Sequence, residues 1–155
     1  EGLYAVVVDR EMNTLMERIT NSLHGDHPRQ LLEQAGLALF DYIDENSEGF
    51  AILVRDSPVS QQTGSFASLI VDIAGEVEDE LAAQFAAHDL PKGLAPAYSR
   101  MLVGMTALTG QWWLDVRKPR KEEVVAHIVN LAWNGLSHLE PAPQPLRVTE
   151  RKKKN

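Results

Sequence analysis

An all-α domain is expected from three observations. Apolar residues recur at spacings of three and four along most of the chain, the period at which a helix buries one face. Breaks containing glycine or proline separate these periodic stretches. Strand evidence is confined to Ala51-Ile52-Leu53-Val54, a β-branched piece of four residues, while Val6-Val7-Val8 sits inside a good helical period. At 155 residues, 44% hydrophobic and 24% charged, the chain has ordinary globular composition. One domain of this size buries roughly 68–70% of its unfolded surface.

The first segment, residues 3–23, carries Leu3, Val7, Val8, Met12, Leu15, Met16, Ile19 and Leu23 at helical spacing. Gly25 stops it and Pro28 opens the next, because a fixed φ suits the first turn and glycine suits the position past an end. The second segment, 28–46, groups Leu32, Ala35, Leu39, Tyr42 and Ile43, with Leu31 and Phe40 beside them. Ser47-Glu48-Gly49 reads as a break before a short apolar piece, 50–54. Ser57-Pro58 ends that piece, since the residue before proline is pushed out of helical conformation. After Gly64 the longest pattern runs to His88, with a stripe of Phe66, Leu69, Ile70, Ile73, Val77, Leu81 and Phe85. Asp89-Leu90-Pro91-Lys92-Gly93 interrupts it. The fifth segment, 94–116, is apolar on two sides: Tyr98, Met101, Met105, Leu108 and Trp112 on one, Val103, Ala107, Gly110 and Leu114 on another. The sixth, 120–139, is equally rich, with Val124, Val125, Ile128, Val129, Leu131, Ala132, Trp133 and Leu136.

A helix that is apolar all round must be covered all round. Two consecutive helices with surplus apolar surface therefore point to a partner, most simply a second copy across a two-fold axis. The charge is uneven. Residues 1–140 hold 10 basic and 21 acidic groups, whereas 141–155 hold Arg147, Arg151, Lys152, Lys153 and Lys154 against Glu150. The acidic body repels phosphate, so the folded part is not expected to grip nucleic acid. The basic end reads as a disordered, solvated tail over 140–155, following a domain over 1–139. With no cysteine there is no disulfide, thiolate metal site or cysteine nucleophile. No stretch reaches the ~20 apolar residues of a membrane span, and no secretion signal opens the chain. The chain begins on Glu1 rather than methionine, so its natural start is expected upstream.

Catalytic templates fail. There is no G-x-S-x-G, H-E-x-x-H, G-x-x-x-x-G-K or G-x-G-x-x-G. Glu123 and His127 stand one residue too far apart for a di-iron Glu-x-x-His pair. His24, Asp26 and His27 at the first helix break carry donors suited to zinc or nickel, although polar residues there also serve as caps. The run from Glu76 to Glu80, with Asp72 and Asp79, offers a general acid–base pair or a plain solvated face. These two sites define the alternative of an all-α metal protein or enzyme. His127 and His138 suit a surface or interface. Against this, Met12, Met16, Met101 and Met105 are soft, adaptable side chains, and with Phe40, Phe50, Phe66 and Trp112 they suit a ligand cavity among the helices.

Several phrases are similar to one family. Glu1-Gly2-Leu3-Tyr4-Ala5-Val6-Val7 resembles the segment after the recognition helix of bacterial TetR-type transcriptional repressors. Phe50-Ala51-Ile52-Leu53-Val54-Arg55-Asp56 resembles their short sixth helix. Gly104-Met105, Gly110-Gln111-Trp112-Trp113-Leu114 and Leu131-Ala132-Trp133-Asn134-Gly135-Leu136 resemble their last two helices.

The resemblance implies a cytoplasmic, non-enzymatic ligand-sensing and dimerisation domain of about six helices, without cofactor, whose last two helices form a four-helix bundle in the homodimer. It places the helix-turn-helix upstream of Glu1, so that DNA is met only through that missing region. It implies a small, largely apolar effector held by Met12, Met16, Leu39, Ile43, Phe50, Phe66, Ile70, Ile73, Met101, Met105 and Trp112. Dimerisation is then expected of Val103, Ala107, Gly110, Leu114, Val125, Ile128, Val129, Ala132 and Leu136, with the small residues at 107 and 110 letting helices approach closely. The first helix would be the lever between pocket and DNA-reading unit.

Overall fold

Six α-helices and a 3₁₀ turn account for most of the computed structural model, which describes residues 2–55 and 66–146; no strand occurs among the described residues. In chain order these are α1 (Gly2–Ser22), α2 (Pro28–Glu45), α3 (Ser47–Arg55), α4 (Phe66–Ala87), the turn Lys92–Leu94, α5 (Ala95–Val116) and α6 (Lys121–Leu136). Ser57-Pro58, Gly64 and the basic residues 147–155 lie outside the described residues.

The helix limits follow from local chemistry. Gly25, at φ 122, makes the turn after α1. His27 caps α2: it is extended, and its Nδ1 accepts the Arg29 N–H at 3.2 Å, just ahead of Pro28. Asn46 ends α2 by leaving helical φ and ψ. The break is narrower than expected, because Ser47-Glu48-Gly49 forms the first turn of α3 rather than a linker. Gly49 is tolerated there because α1 crowds it: a Cβ would lie 2.5 Å from Glu11 Oε2. Glu48 adds a favourable negative charge at the helix start. Arg117 stops α5 in the left-handed region, at φ 58, with its N–H bonded to Trp113 O at 2.8 Å. The last helix ends three residues before the expected Leu139, where the Ser137 hydroxyl donates to Trp133 O at 2.7 Å and closes the final turn.

α2 runs at the centre. It packs along α1 on one side and α6 on the other, and crosses α5, while α4 lies along α5. α5 and α6 touch each other only slightly. The main core is built on Leu15, Phe40, Tyr42, Ile43, Phe50, Leu69 and Val125, all almost fully buried. A smaller cluster around Leu81, Phe85 and Ala95 forms a separate body of packing near the C-terminal end of α4. Two close approaches position these helices. A Cβ on Gly110 would stand 2.7 Å from Ile43 Cδ1, and one on Gly36 would stand 3.0 Å from Val125 Cγ1.

Polar groups fasten the turn between α5 and α6 to α2. Lys121 Nζ lies 3.0 Å from Asp41 Oδ1 and 2.8 Å from Asp44 Oδ2, and Arg117 reaches Asp44 Oδ1 at 2.7 Å. The hydrogen bond from Lys121 holds the Asp44 carboxyl below the usual carboxylate range, and the same contact pushes the Lys121 ammonium pKa up. The Arg117 guanidinium also sits 4.8 Å over the Trp113 ring, whose Nε1–H donates to Pro119 O at 2.8 Å.

Candidate functional site

Where α1, α2, α4 and α5 converge, an apolar cavity of about 80 Å³ opens. Leu15 and Ile19 reach it from α1, and Leu32, Ala35, Gly36 and Leu39 from α2. Ile70, Ile73 and Val77 come from α4, and Leu102, Val103, Thr106 and Ala107 from α5. Ala35 and Ala107 each give this wall only a methyl group, whereas a side chain at Gly36 would meet Val125 of α6. Thr106 is the one polar side chain in the described lining, and its hydroxyl donates to Leu102 O at 2.8 Å on its own helix. No described residue of this wall can neutralise a charge. The cavity suits an apolar guest. It is smaller than the ~150 Å³ apolar cavity that holds benzene, and well below the roughly 300–1,000 Å³ of drug-sized sites. A larger guest extends out of this space or moves α1, α4 or α5 outward.

The structure separates the residues expected to bind ligand. Leu39, Ile70 and Ile73 line the cavity. Ile43 and Phe50 are fully buried in the main core, and Met12 and Met16 pack half-buried against it without lining the cavity. Met101 and Trp112 lie on the outer side of α5, 60% and 50% exposed, and Met105 is half-buried. The side chain of Phe66 lies outside the description. The residues expected at a dimer interface are displaced in the opposite sense. Val103 and Ala107 line the cavity, and Gly110 faces Ile43 inside the protomer. Val125, Val129 and Ala132 are buried within the chain. Leu114 and Ile128 are half-buried against the main core, and Leu136 against the smaller cluster.

The two sides of α5 are thus exchanged relative to expectation. The side bearing Val103, Ala107 and Gly110 faces inward, because its small residues permit the close approach of α2. The side bearing Met101, Leu108 and Trp112 faces out, with Leu108 66% exposed, and Leu131 of α6 is 65% exposed. Among the missed lining residues, Ala35, Gly36 and Ala107 carry a signal only as small residues at inward helical positions.

The metal and acid–base alternatives do not assemble. Among the described residues no group of three or more His, Asp and Glu side chains could hold a metal ion. His27 spends Nδ1 on its cap and lays its ring against Trp133, 5.2 Å between centroids, while His24 and Asp26 stay exposed. Along the acidic run, Glu78 meets Arg100 at 3.5 Å and Glu80 accepts from Gln84 at 3.0 Å. Glu76 and Asp79 are exposed, which is the solvated-face arrangement. His127 and His138 are also exposed.

α1 is held to α2 by polar contacts beside its apolar face. The buried Tyr42 hydroxyl donates to Glu11 Oε2, Arg18 pairs with Glu45 at 2.7 Å, and the Arg18 guanidinium lies 5.8 Å over the Tyr42 ring. Burial, reinforced by the bond to Glu11, pushes the Tyr42 phenol pKa up and keeps it a donor. Any outward shift of α1 must carry or break this cluster.

Comparison with known proteins agrees with this architecture. The chain is 28% identical over 143 residues to the HTH-type transcriptional activator FasR of Mycolicibacterium smegmatis (strain ATCC 700084 / mc(2)155), an alignment covering 88% of this chain. It spans 63% of that relative's length. No helix among the described residues is long and apolar enough to cross a membrane. Residues 28–135, from the first residue of α2 almost to the end of α6, match the family described as tetracyclin repressor-like, C-terminal domain, and the chain belongs to that family of transcriptional regulators.

Proposed function

We propose that residues 1–139 form the effector-sensing and dimerisation part of a transcriptional regulator whose DNA-reading helix-turn-helix lies elsewhere in the full protein. The observation that carries this reading is the apolar cavity, placed where α1 meets α2, α4 and α5. A ligand shifts an equilibrium only by its differential affinity for two states. The small volume supplies that difference for a guest that needs more room between the helices, which binds more tightly to a state with the helices spread. Spreading displaces α1, the lever toward the DNA-reading unit. The effector is small and largely apolar, and neither cofactor nor catalysis enters. The working environment is the cytoplasm, where operators lie.

Dimerisation belongs to the outer stripe of α5 and the neighbouring surface of α6, through Met101, Leu108, Trp112 and Leu131. All four are at least half exposed, on the two helices with surplus apolar surface. A repressor is what the resemblance implies, whereas the relative is named an activator. Regulation of either sign needs the same sensing step.

Heat unfolding of this chain against a panel of small apolar compounds tests the reading. A compound at 100 times its dissociation constant should add about 2.7 kcal/mol. That gain should vanish in Ala107→Leu, which fills the cavity. A panel that stabilises the wild type and Ala107→Leu equally would overturn the assignment of the cavity.

A further inference from the structure

Beyond the inner cavity, a groove of about 530 Å³ lies between the C-terminal end of α4, the start of α2 and the end of α6. Its volume is that of a small-molecule site. Its floor belongs to the smaller hydrophobic cluster, through Leu81, Phe85 and Leu136. Leu81, Gln84, Phe85 and His88 stand at i, i+3, i+4 and i+7, so apolar and polar groups share one wall at the end of α4. Trp133 and His27 also line it, with ring centroids 5.2 Å apart and a tilt of 48°.

The hydrogen bonds fix what each histidine offers. His27 Nδ1 accepts the Arg29 N–H at 3.2 Å, so its proton sits on Nε2, which is a donor. His88 Nδ1 faces the Gln84 carbonyl at 2.8 Å; a carbonyl only accepts, so Nδ1 carries the proton and Nε2 is left an acceptor. The two lining histidines therefore carry one Nε2 donor and one Nε2 acceptor, beside Phe85 and Trp133. No Asp, Glu, Lys or Arg is among its described lining residues, so a charged guest would find no counter-ion.

We propose that this groove is a second binding site, separate from the inner cavity, for an uncharged aromatic molecule carrying a hydroxyl group. The aromatic body packs against Phe85 and Trp133, and a hydroxyl both donates and accepts, matching His88 Nε2 and His27 Nε2–H. The site is independent of the effector cavity, so the failure of one leaves the other standing.

Titration of the 155-residue chain with 2-naphthol, followed by the ring signals of His27, His88 and Trp133, tests the proposal. All three should shift together with one dissociation constant. Naphthalene, which lacks the hydroxyl, should bind about five- to tenfold more weakly, and His88→Ala should weaken 2-naphthol by a similar factor. Ser137→Trp, at the exposed rim, should block binding, while Ala107→Leu in the inner cavity should leave it unchanged. The proposal is overturned if 2-naphthol moves only Ile19 and Ile73, if naphthalene binds as tightly, if His88→Ala and Ser137→Trp leave the affinity intact, or if no binding appears up to the solubility of 2-naphthol.

Discussion

Gly110 sets how closely α5 approaches α2. A methyl group there meets Ile43 Cδ1 at 2.7 Å and lies 3.9 Å from Leu39 Cδ2 and Phe40 Cε2; Ile43 is fully buried, so its Cδ1 can yield only into packed core. Overpacking of this kind costs about 1–3 kcal/mol. Gly110→Ala should therefore lower the urea midpoint at fixed protein concentration without changing the slope of the transition. Asp44 makes a second prediction. Its folded pKa is lowered by the hydrogen bond from Lys121, so its contribution is present above the unfolded carboxylate pKa of about 3.9 and fades as pH falls through the folded value. Asp44→Asn should accordingly melt below the wild type at neutral pH, and the gap should close as the pH is taken below about 4. A gap independent of pH would show that packing, not charge, separates the two proteins. At this scale the sequence was partly legible. Leu39, Ile70 and Ile73 stood out as inward apolar positions, whereas Ala35, Gly36 and Ala107 line the cavity with so little side chain that nothing in the pattern marks them as lining.

Element by element, the helical period located all six helices, because burial of one face every three to four residues is imposed by geometry. It misjudged the first turn of α3, where Gly49 reads as a breaker but is accommodated beneath Glu11. It also could not orient α5. With both sides apolar, periodicity identifies two stripes without saying which one the rest of the chain covers. Small residues on one stripe suit close helix approach within a protomer as well as between protomers. The large residues Met101, Leu108 and Trp112 were left for the outer surface, where a second copy can bury them. Leu108→Glu or Leu131→Glu should each convert a dimer to a monomer in sedimentation while helix content is kept. A chain that already sediments as a clean monomer at micromolar concentration would remove the interface from α5 and α6.

Across the whole molecule, the net charge of −7 first argues against any link with DNA. In the proposed sensing role the body needs no phosphate contacts of its own, and its acidity would be no obstacle to acting through a lever. What joins the cavity to that lever is α1: Leu15 and Ile19 line the space, and Glu11 and Arg18 fasten the same helix to α2. The absence of cysteine makes this coupling directly measurable. A nitroxide on Asp9→Cys, exposed on α1, gives one label per copy and one label-to-label distance in a dimer. Pulsed electron spin resonance should give a defined distance that changes when a stabilising apolar compound saturates the protein, and that stays fixed in Ala107→Leu. A defined distance that the compound leaves untouched would contradict the coupling of cavity to α1, and no dipolar signal at all would contradict the dimer.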